Sequence, residues 1–575
     1  MYITPPLLVL ILRFSFGHTI DPAMHYSNAG PGGPPSQEAS LHSQYTNQED
    51  WHRPLKNQAH NDSARQLLED TSVPCSPTST DVSCHSFSLS DIYRYRHQRS
   101  VNLGSWFVSE EWMVPSLFNS ASGPKTAEID VASGFNAQSI LENHWDTFIT
   151  KTDFDYLASI GINTVRLPIG YWSLGPAFCL DTPFQGVSQV YGGSWARVMR
   201  AIEMAGKAGL GVLVDLHGAV GSQNGQAHSG ISDGHISFFE NTANMDKTIN
   251  ALVFLMEQLV HLPNVIGIQI LNEPQDDPLL CDFYTEAISR MRAVSPEASN
   301  FPLYIHNAFN LPKFTSWVAD RTDFVVQDHH SYFVFTPSDA AKPASQHTSD
   351  VNSRVSSELG SPVPRHNLVV DEWSCALTSQ SLEPEEQKEQ SIREFCQAQM
   401  DVYGKMTPGW AFWSLKTEDC EQDPAWCFYS AVKKGVLPPQ FFSYNVSNPS
   451  FFLKSHGQRV LPSNSSFAPL FPYIPADLPQ SILDYLTDVH DPISVPSSPE
   501  DKGFSEGFKT AKFFALHELS KLGFVGQYIN DILKSGRAGI DTTNEGDCLR
   551  YQDAFLRGLK RGEEQIAQFI VTYNL

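Results

Sequence analysis

The sequence predicts an α/β protein built on a (β/α)8 barrel, flanked by a flexible N-terminal segment and a small C-terminal helical extension. Two observations carry this. Between residues 92 and 436, short β-branched runs alternate with longer amphipathic stretches, and the runs number eight. A parallel strand needs a helical crossover to reach its neighbour, so sustained alternation over about 340 residues points to a closed barrel with long loops. The strands expected in order are Ser100–Leu103, Asn163–Pro168, Gly211–His217, Val265–Asn272, Leu303–His306, Phe324–His329, Leu368–Trp373 and Gly409–Leu415. Between them Ser194–Lys207 and Met245–His261 read as helices, the second with Leu252, Leu255, Met256, Leu259 and Val260 along one face.

The flanks differ in texture. Residues 1–20 hold an apolar run, Leu7–Leu12, too short to span a bilayer, with no basic residue before it and Arg13 after it. It reads as a weak secretion signal, so secretion or the cell wall is expected, with the cytoplasm as the alternative. Residues 21–91 are rich in Ser, Pro, His, Asn and Gln without apolar periodicity and are expected to be disordered. Residues 437–500 form a Pro-, Ser- and Phe-rich connection with enough aromatics to pack partly on the barrel. In 501–575, Gly503, Gly507 and Ala511 recur every fourth residue, as do Ala554, Gly558 and Gly562, so two helices are expected to approach along these stripes. If they only brace the barrel, deleting 501–575 lowers stability and activity together; if they bind a partner, turnover survives.

Composition bounds the partners. Against 39 Lys and Arg stand 63 Asp and Glu, a net charge of −24 that repels phosphate backbones and anionic lipid. Nucleic acid is therefore not expected, nor is a transmembrane segment, and a neutral small or polymeric substrate is. Nine scattered cysteines do not make a disulfide framework; Cys420, Cys427 and Cys375 read as structural thiols. Asn61, Asn445 and Asn464 head glycosylation sequons, usable only on the secretory route.

Chemistry in such a barrel gathers where strands end. The fourth strand closes on Asn272-Glu273-Pro274 and the seventh on Asp371-Glu372-Trp373. Buried carboxylates are costly unless used or paired, and two facing acids about 5–5.5 Å apart are what retaining glycoside hydrolysis requires. One must be protonated to release the leaving oxygen, the other ionised to attack the anomeric carbon. Other strand ends supply compatible groups: Arg166 to hold a strand-seven carboxylate ionised, His217, His330 and Tyr332 on alternate positions, Asn272 for a sugar hydroxyl, and Trp413 as a plate for a pyranose face. No metal or organic cofactor is called for.

The segments Val101–Glu110, Glu111–Phe118, Gly161–Trp172, Asp215–Ala219 with Gly221–Gly225, Leu271–Pro274, Glu372–Ser374 and Gly409–Trp413 occur in an order that resembles glycoside hydrolase family 5, in its fungal exo-β-1,3-glucanase branch. The resemblance implies Glu273 as acid/base and Glu372 as nucleophile. It implies Arg166, His217, Asn272, His330 and Tyr332 around them, Trp413 as sugar platform, Glu110 as a hydroxyl-binding carboxylate, and Phe335 as half of an aromatic entrance clamp. The substrate implied is β-glucan or a small β-glucoside. Departures accompany it. Where the typical glucanase carries an aromatic and then Asp-Asn, this chain has Gln226-Ala227-His228, and Leu415 stands where an aromatic is expected. Each lost contact removes about 1–3 kcal/mol of glucan binding. The expected activity is release of glucose from the non-reducing end of β-1,3-glucan. The alternatives are a β-glucosidase for lipid- or aglycone-linked glucose and a glucan-binding wall protein without turnover, which retention of both glutamates disfavours.

Overall fold

The structure, a computed structural model, describes residues 88–360, 365–446, 458–459, 474–475, 480–487, 493 and 496–572. The expected leader, nearly all of the 21–91 segment and the sequons at Asn61 and Asn464 lie outside the described residues, whereas Asn445 is exposed. Among the described residues no helix is long and apolar enough to cross a membrane.

Eight parallel strands close in chain order: β1 (Gln98–Asn102), β2 (Thr164–Gly170), β3 (Gly211–Gly218), β4 (Val265–Gln269), β5 (Leu303–His306), β6 (Val325–Ser331), β7 (Leu368–Trp373) and β8 (Gly409–Phe412), which pairs back onto β1. Their residues are almost uniformly buried, as a parallel sheet enclosed by helices requires. The expected barrel is therefore the observed fold. Irregular register recurs near the C-terminal strand ends, at Ile169/Gly170, Asp328/His330 and Val370/Trp373. Such irregularities re-aim side chains beside a site.

Several boundaries differ from expectation. β4 ends at Gln269, so Asn272 and Glu273 stand in the following turn; Glu273 has φ 42°, a left-handed conformation that a strand cannot contain. β8 ends at Phe412, because the Ser414 amide bonds to the Trp426 carbonyl instead of continuing the ladder. Residues 88–91, assigned by composition to the disordered segment, cap and open helix α1 (Leu89–Tyr95). Ser88 and Asp91 form a reciprocal capping box there, and Ile92, Tyr93 and Tyr95 are buried. The cysteines expected as structural thiols are paired, Cys375 with Cys396 and Cys420 with Cys427.

The C-terminal extension contains three helices rather than two: α2 (Pro499–Leu516), α3 (Val525–Lys534) and α4 (Glu545–Thr572). α3 carries no small-residue stripe and so escaped the pattern. The stripes do pack against each other. A Cβ on Gly507 would overlap the Phe555 carbonyl, and one on Gly558 the Phe504 carbonyl, so only glycine lets these backbones touch. The three helices seal the N-terminal end of the barrel. Phe514, Phe524, Tyr528, Ile532 and Phe555 share one core with Leu213, Ile266, Tyr304, Val326 and Val369 of the strands. Polar contacts sit at the same seam: Tyr95 donates to Asp531 at 2.6 Å and Asn367 to Gln527 at 2.9 Å. Of the connecting segment, Leu437, Phe441 and Tyr444 are buried.

Candidate active site

At the C-terminal end of the barrel, Arg166 on β2 organises the site. Four hydrogen bonds of its guanidinium are placed, Nε on Gln269 at 2.7 Å, Nη1 on Glu372 Oε1 at 2.7 Å and Asn102 at 2.9 Å, and Nη2 on Asn272 Oδ1 at 2.7 Å, and Nη2 also forms an ion pair with Asp215 at 3.0 Å. Burial alone would weaken its charge, but the carboxylates of Asp215, Glu372, Asp328 and Asp371 reverse this and raise its pKa. A planar fork satisfied this way fixes Glu372 and Asn272 in one frame.

Glu372 is register partner to His330 across β6 and β7 and takes a second hydrogen bond, from Tyr332 Oη to Oε2 at 2.9 Å. Burial raises its pKa, opposed by His330 and Arg166. His330 Nδ1 lies 2.7 Å from Glu273 Oε1 and 3.3 Å from Glu372 Oε2, while Nε2 lies 3.0 Å from Asp328. Burial opposes its charge, yet Glu372, Asp328 and Glu273 together raise the ring well above the usual histidine range. Glu273 moves the other way. Burial would raise it, and the hydrogen bond and charge of His330 outweigh that, bringing it well below the carboxylate range. The two groups share a 2.7 Å hydrogen bond, and the surrounding charges favour the proton on His330 and the anion on Glu273. Because both carboxylates reach the same ring nitrogen, their spacing suits direct nucleophilic attack rather than the gap of about 6.5–9.5 Å that an inverting water needs.

The remaining expected residues surround this pair. His217 bonds Asp215 through Nδ1 at 2.7 Å and lies 3.4 Å from Asn272 Nδ2; burial, then Arg166, lowers it to about 3, so it is neutral and accepts from the amide. That leaves Asn272 one N–H for a sugar hydroxyl. Trp413, just beyond β8, stacks with its ring 5.7 Å from that of His217 and 12° from parallel. Glu110 accepts from Trp112 Nε1 at 2.8 Å; burial pushes its carboxyl up to about 8, the Trp112 bond opposing and the Glu372 and Glu273 charges adding. Phe335 is 40% exposed, with its ring 5.3 Å from that of Tyr332. Leu415 is buried and offers no ring to the entrance.

Sequence reasoning did not assign several residues that the fold brings here. Gln223 donates to the carbonyls of His217 and Asn272 at 2.7 and 2.8 Å, and Asn224 to the carbonyl of Glu273 at 3.0 Å. These bonds brace the left-handed backbone at Glu273, which otherwise costs about 1–3 kcal/mol. Trp426, in the loop closed by Cys420–Cys427, packs between Trp112 at 5.4 Å and Phe335 at 6.1 Å. Phe309, at φ 58° and 59% exposed, sets its ring 5.0 Å from that of His306 and 6.5 Å from that of His330. His228 Nε2 lies 3.6 Å from Glu273 Oε2. The visible signals were the Gly221–Gly225 motif, which holds Gln223 and Asn224, the departure at Gln226–His228, and the cysteine pair flanking Trp426; Phe309 had none.

Glu273, His306 and His330 each offer a potential metal-ligand atom within 4.8 Å of one another. His330 is engaged at both nitrogens, and His306 Nδ1 accepts the Ala308 amide at 3.0 Å, which leaves its Nε2 protonated. The donor set is arranged for moving a proton.

The family description "Cellulase (glycosyl hydrolase family 5)" matches residues 130–419, half of the chain and both glutamates. The chain belongs to glycosyl hydrolase family 5. Within that family it is similar to glucan 1,3-beta-glucosidase 3 of Schizosaccharomyces pombe, 34% identical over 383 residues, covering 64% of this chain and 80% of that one. It is also similar to glucan 1,3-beta-glucosidase of Lachancea kluyveri, 32% identical over 425 residues, 64% and 92% of the two chains. Among solved structures, rutinosidase from Aspergillus niger aligns at 20% identity and TM-score 0.48, over 60% of this chain and 98% of that chain.

Arg166→Lys tests how this family 5 site keeps Glu372 ionised. An ammonium has three donors for five acceptors, so Glu372 loses stabilisation of its anion and its pKa rises further. Activity needs the anion, so the acid limb of kcat/KM is expected to move to higher pH, and kcat/KM at neutral pH to fall about 10²-fold. An unmoved limb in a pH–rate series removes Arg166 from this role.

Proposed function

We propose that the chain is a retaining, exo-acting β-glucosidase that releases glucose from the non-reducing end of β-1,3-glucan. The observation that carries the retaining chemistry is His330 Nδ1 shared between Glu273 and Glu372. The names of the similar fungal proteins supply the substrate. Glu372, ionised beside Arg166, attacks the anomeric carbon of a glucose seated on Trp413. The glycosidic bond breaks, and its oxygen takes the proton that Glu273 receives from His330. Water then enters; Glu273 removes its proton as oxygen bonds to the anomeric carbon, the bond to Glu372 breaks, and β-glucose leaves with the proton returned to the Glu273–His330 pair. Asn272 and Glu110 are placed to hold hydroxyls of the reacting sugar.

Secretion or residence in the cell wall accompanies this reading. Its support is the pairing of Cys375 with Cys396 and of Cys420 with Cys427, bonds that persist in an oxidising compartment.

The test follows glucose release and anomeric configuration by NMR with laminarin-type β-1,3-glucan and with an aryl β-glucoside. Initial accumulation of β-glucose from both is expected. α-Glucose as first product overturns the retaining mechanism, and turnover of the aryl glucoside alone assigns the site to another β-glucoside.

A further inference from the structure

The departure at Gln226–His228 places an imidazole, not a carboxamide, against the reacting acid. His228 Nε2 lies 3.6 Å from Glu273 Oε2, on the opposite oxygen from the one His330 holds at 2.7 Å. Its Nδ1 is buried and has no hydrogen-bond partner among the described residues. With Nδ1 bare, the tautomer that avoids a lone pair against the carboxylate carries its proton on Nε2, on the side of Oε2, at a separation just beyond hydrogen-bond distance.

The ring cannot easily be elsewhere. His228 sits in a short 3-10 turn, Ala227–Ser229, pinned by Ser222 Oγ to Ser229 Oγ at 2.6 Å and by the Gly225 amide to Ser222 Oγ at 2.8 Å. Gly230 closes the turn at φ 97°, and the Trp172 indole fills the space where side chains on Gly230 and Gly218 would stand. The same loop supplies Gln223 and Asn224 to the Asn272–Glu273 backbone. One rigid loop therefore contacts the acid/base through both main chain and side chain.

We propose that His228 is a positioning residue for Glu273, its Nε2–H facing Oε2 across 3.6 Å and closing on it when substrate is bound, so that the carboxyl keeps a single orientation in both halves of the reaction. The proposal rests on the acid/base reading of Glu273. The groups facing His228 are Glu273, His217, His330 and Asp215; burial, with His217 and His330, lowers the ring to about 4, so at neutral pH it acts as a neutral donor. The groups facing Glu273 are His228, His306, His330, His217, Glu372 and Glu110. A donor on Oε2 favours the ionised carboxylate, the form that must accept a proton from water during deglycosylation. Removing it makes the Glu273–His330 pair hold its proton more tightly.

His228→Ala and His228→Gln in the full chain test this with a series of aryl β-glucosides, beside Glu273→Gln. For His228→Ala, kcat/KM for a poor leaving group is expected to fall about tenfold. With a 2,4-dinitrophenyl leaving group, which departs without protonation, it is expected to change little. The basic limb of the kcat/KM profile is expected to move to higher pH, and His228→Gln, which restores an N–H, to recover part of the loss. A loss equal for all leaving groups with an unmoved limb, or a rise in KM alone, overturns the proposal. If His228→Ala does not fold, His228→Leu, which fills the space without a donor, is read by the same criteria. If Glu273→Gln itself shows no dependence on the leaving group, the acid/base reading fails, a result distinct from failure of His228 alone.

Discussion

Glu372→Gln is expected to lower turnover of any β-glucoside by roughly 10⁴-fold or more while leaving the fold intact. The amide is isosteric: its oxygen still accepts from Arg166, and its NH₂ faces Tyr332 Oη, which accepts as readily as it donates. What disappears is the anion that forms the bond to the anomeric carbon. The thermal midpoint is expected to stay within a few degrees of the native value, so calorimetry separates lost chemistry from lost structure. Glu273→Gln should behave differently. An activated aryl glucoside still forms the glycosyl-enzyme without a proton donor, but water is no longer deprotonated, so a burst of phenol precedes a slow steady state. Added azide, which needs no general base, is expected to restore turnover and yield the β-glucosyl azide. If azide yields the β-glucosyl azide with Glu372→Gln and the α-glucosyl azide with Glu273→Gln, the two roles are reversed. Equal loss in both variants without a burst removes the double-displacement mechanism.

The second large effect concerns the end of the barrel remote from chemistry. Deleting residues 497–575 is expected to prevent folding rather than to yield a leaner enzyme. Phe514, Phe524, Tyr528, Ile532 and Phe555 are buried against the strand residues at the barrel's N-terminal end. Five such side chains contribute about 7–15 kcal/mol of burial, comparable to the whole net stability of about 5–15 kcal/mol typical of a domain. Deletion also strips partners from Tyr95 and Asn367. A gentler variant keeps the question quantitative. Gly558→Leu must push α2 and α4 apart at the Phe504 carbonyl, and a loss of about 1–3 kcal/mol with kcat per folded molecule unchanged is expected from denaturant unfolding and active-site titration. A soluble, fully active truncated chain shows that the extension does not brace the barrel and serves a partner instead.

The parts of the site that were readable in the sequence share one property: they stand on strands or just beyond strand ends, Arg166 within β2 and the others near the C-terminal ends. Arg166, His217, His330, Tyr332 and Glu372 project inward because alternation along a strand, once the barrel is recognised, dictates which residues face the axis. Glu273 was readable for its position but not for its conformation. Nothing in Asn-Glu-Pro announces φ 42°, which exists because Gln223 and Asn224 on another loop hold the carbonyls around it. Phe309 and Trp426 were unreadable for a related reason. An aromatic in a loop has no periodicity to betray its direction, and Trp426 reaches Phe335 from a loop closed by a disulfide.

Local pattern by itself determined the barrel, the place of Glu273 and Glu372 at strand ends, the glycine stripes and the family, because strand alternation, helical period and ordered motifs are properties of neighbouring residues. Tertiary structure alone decided which end of the barrel the C-terminal helices close, that His330 bonds Glu273, and that His228 faces Glu273. Those outcomes depend on electrostatic and steric contacts between segments far apart in the chain, which no window of sequence contains.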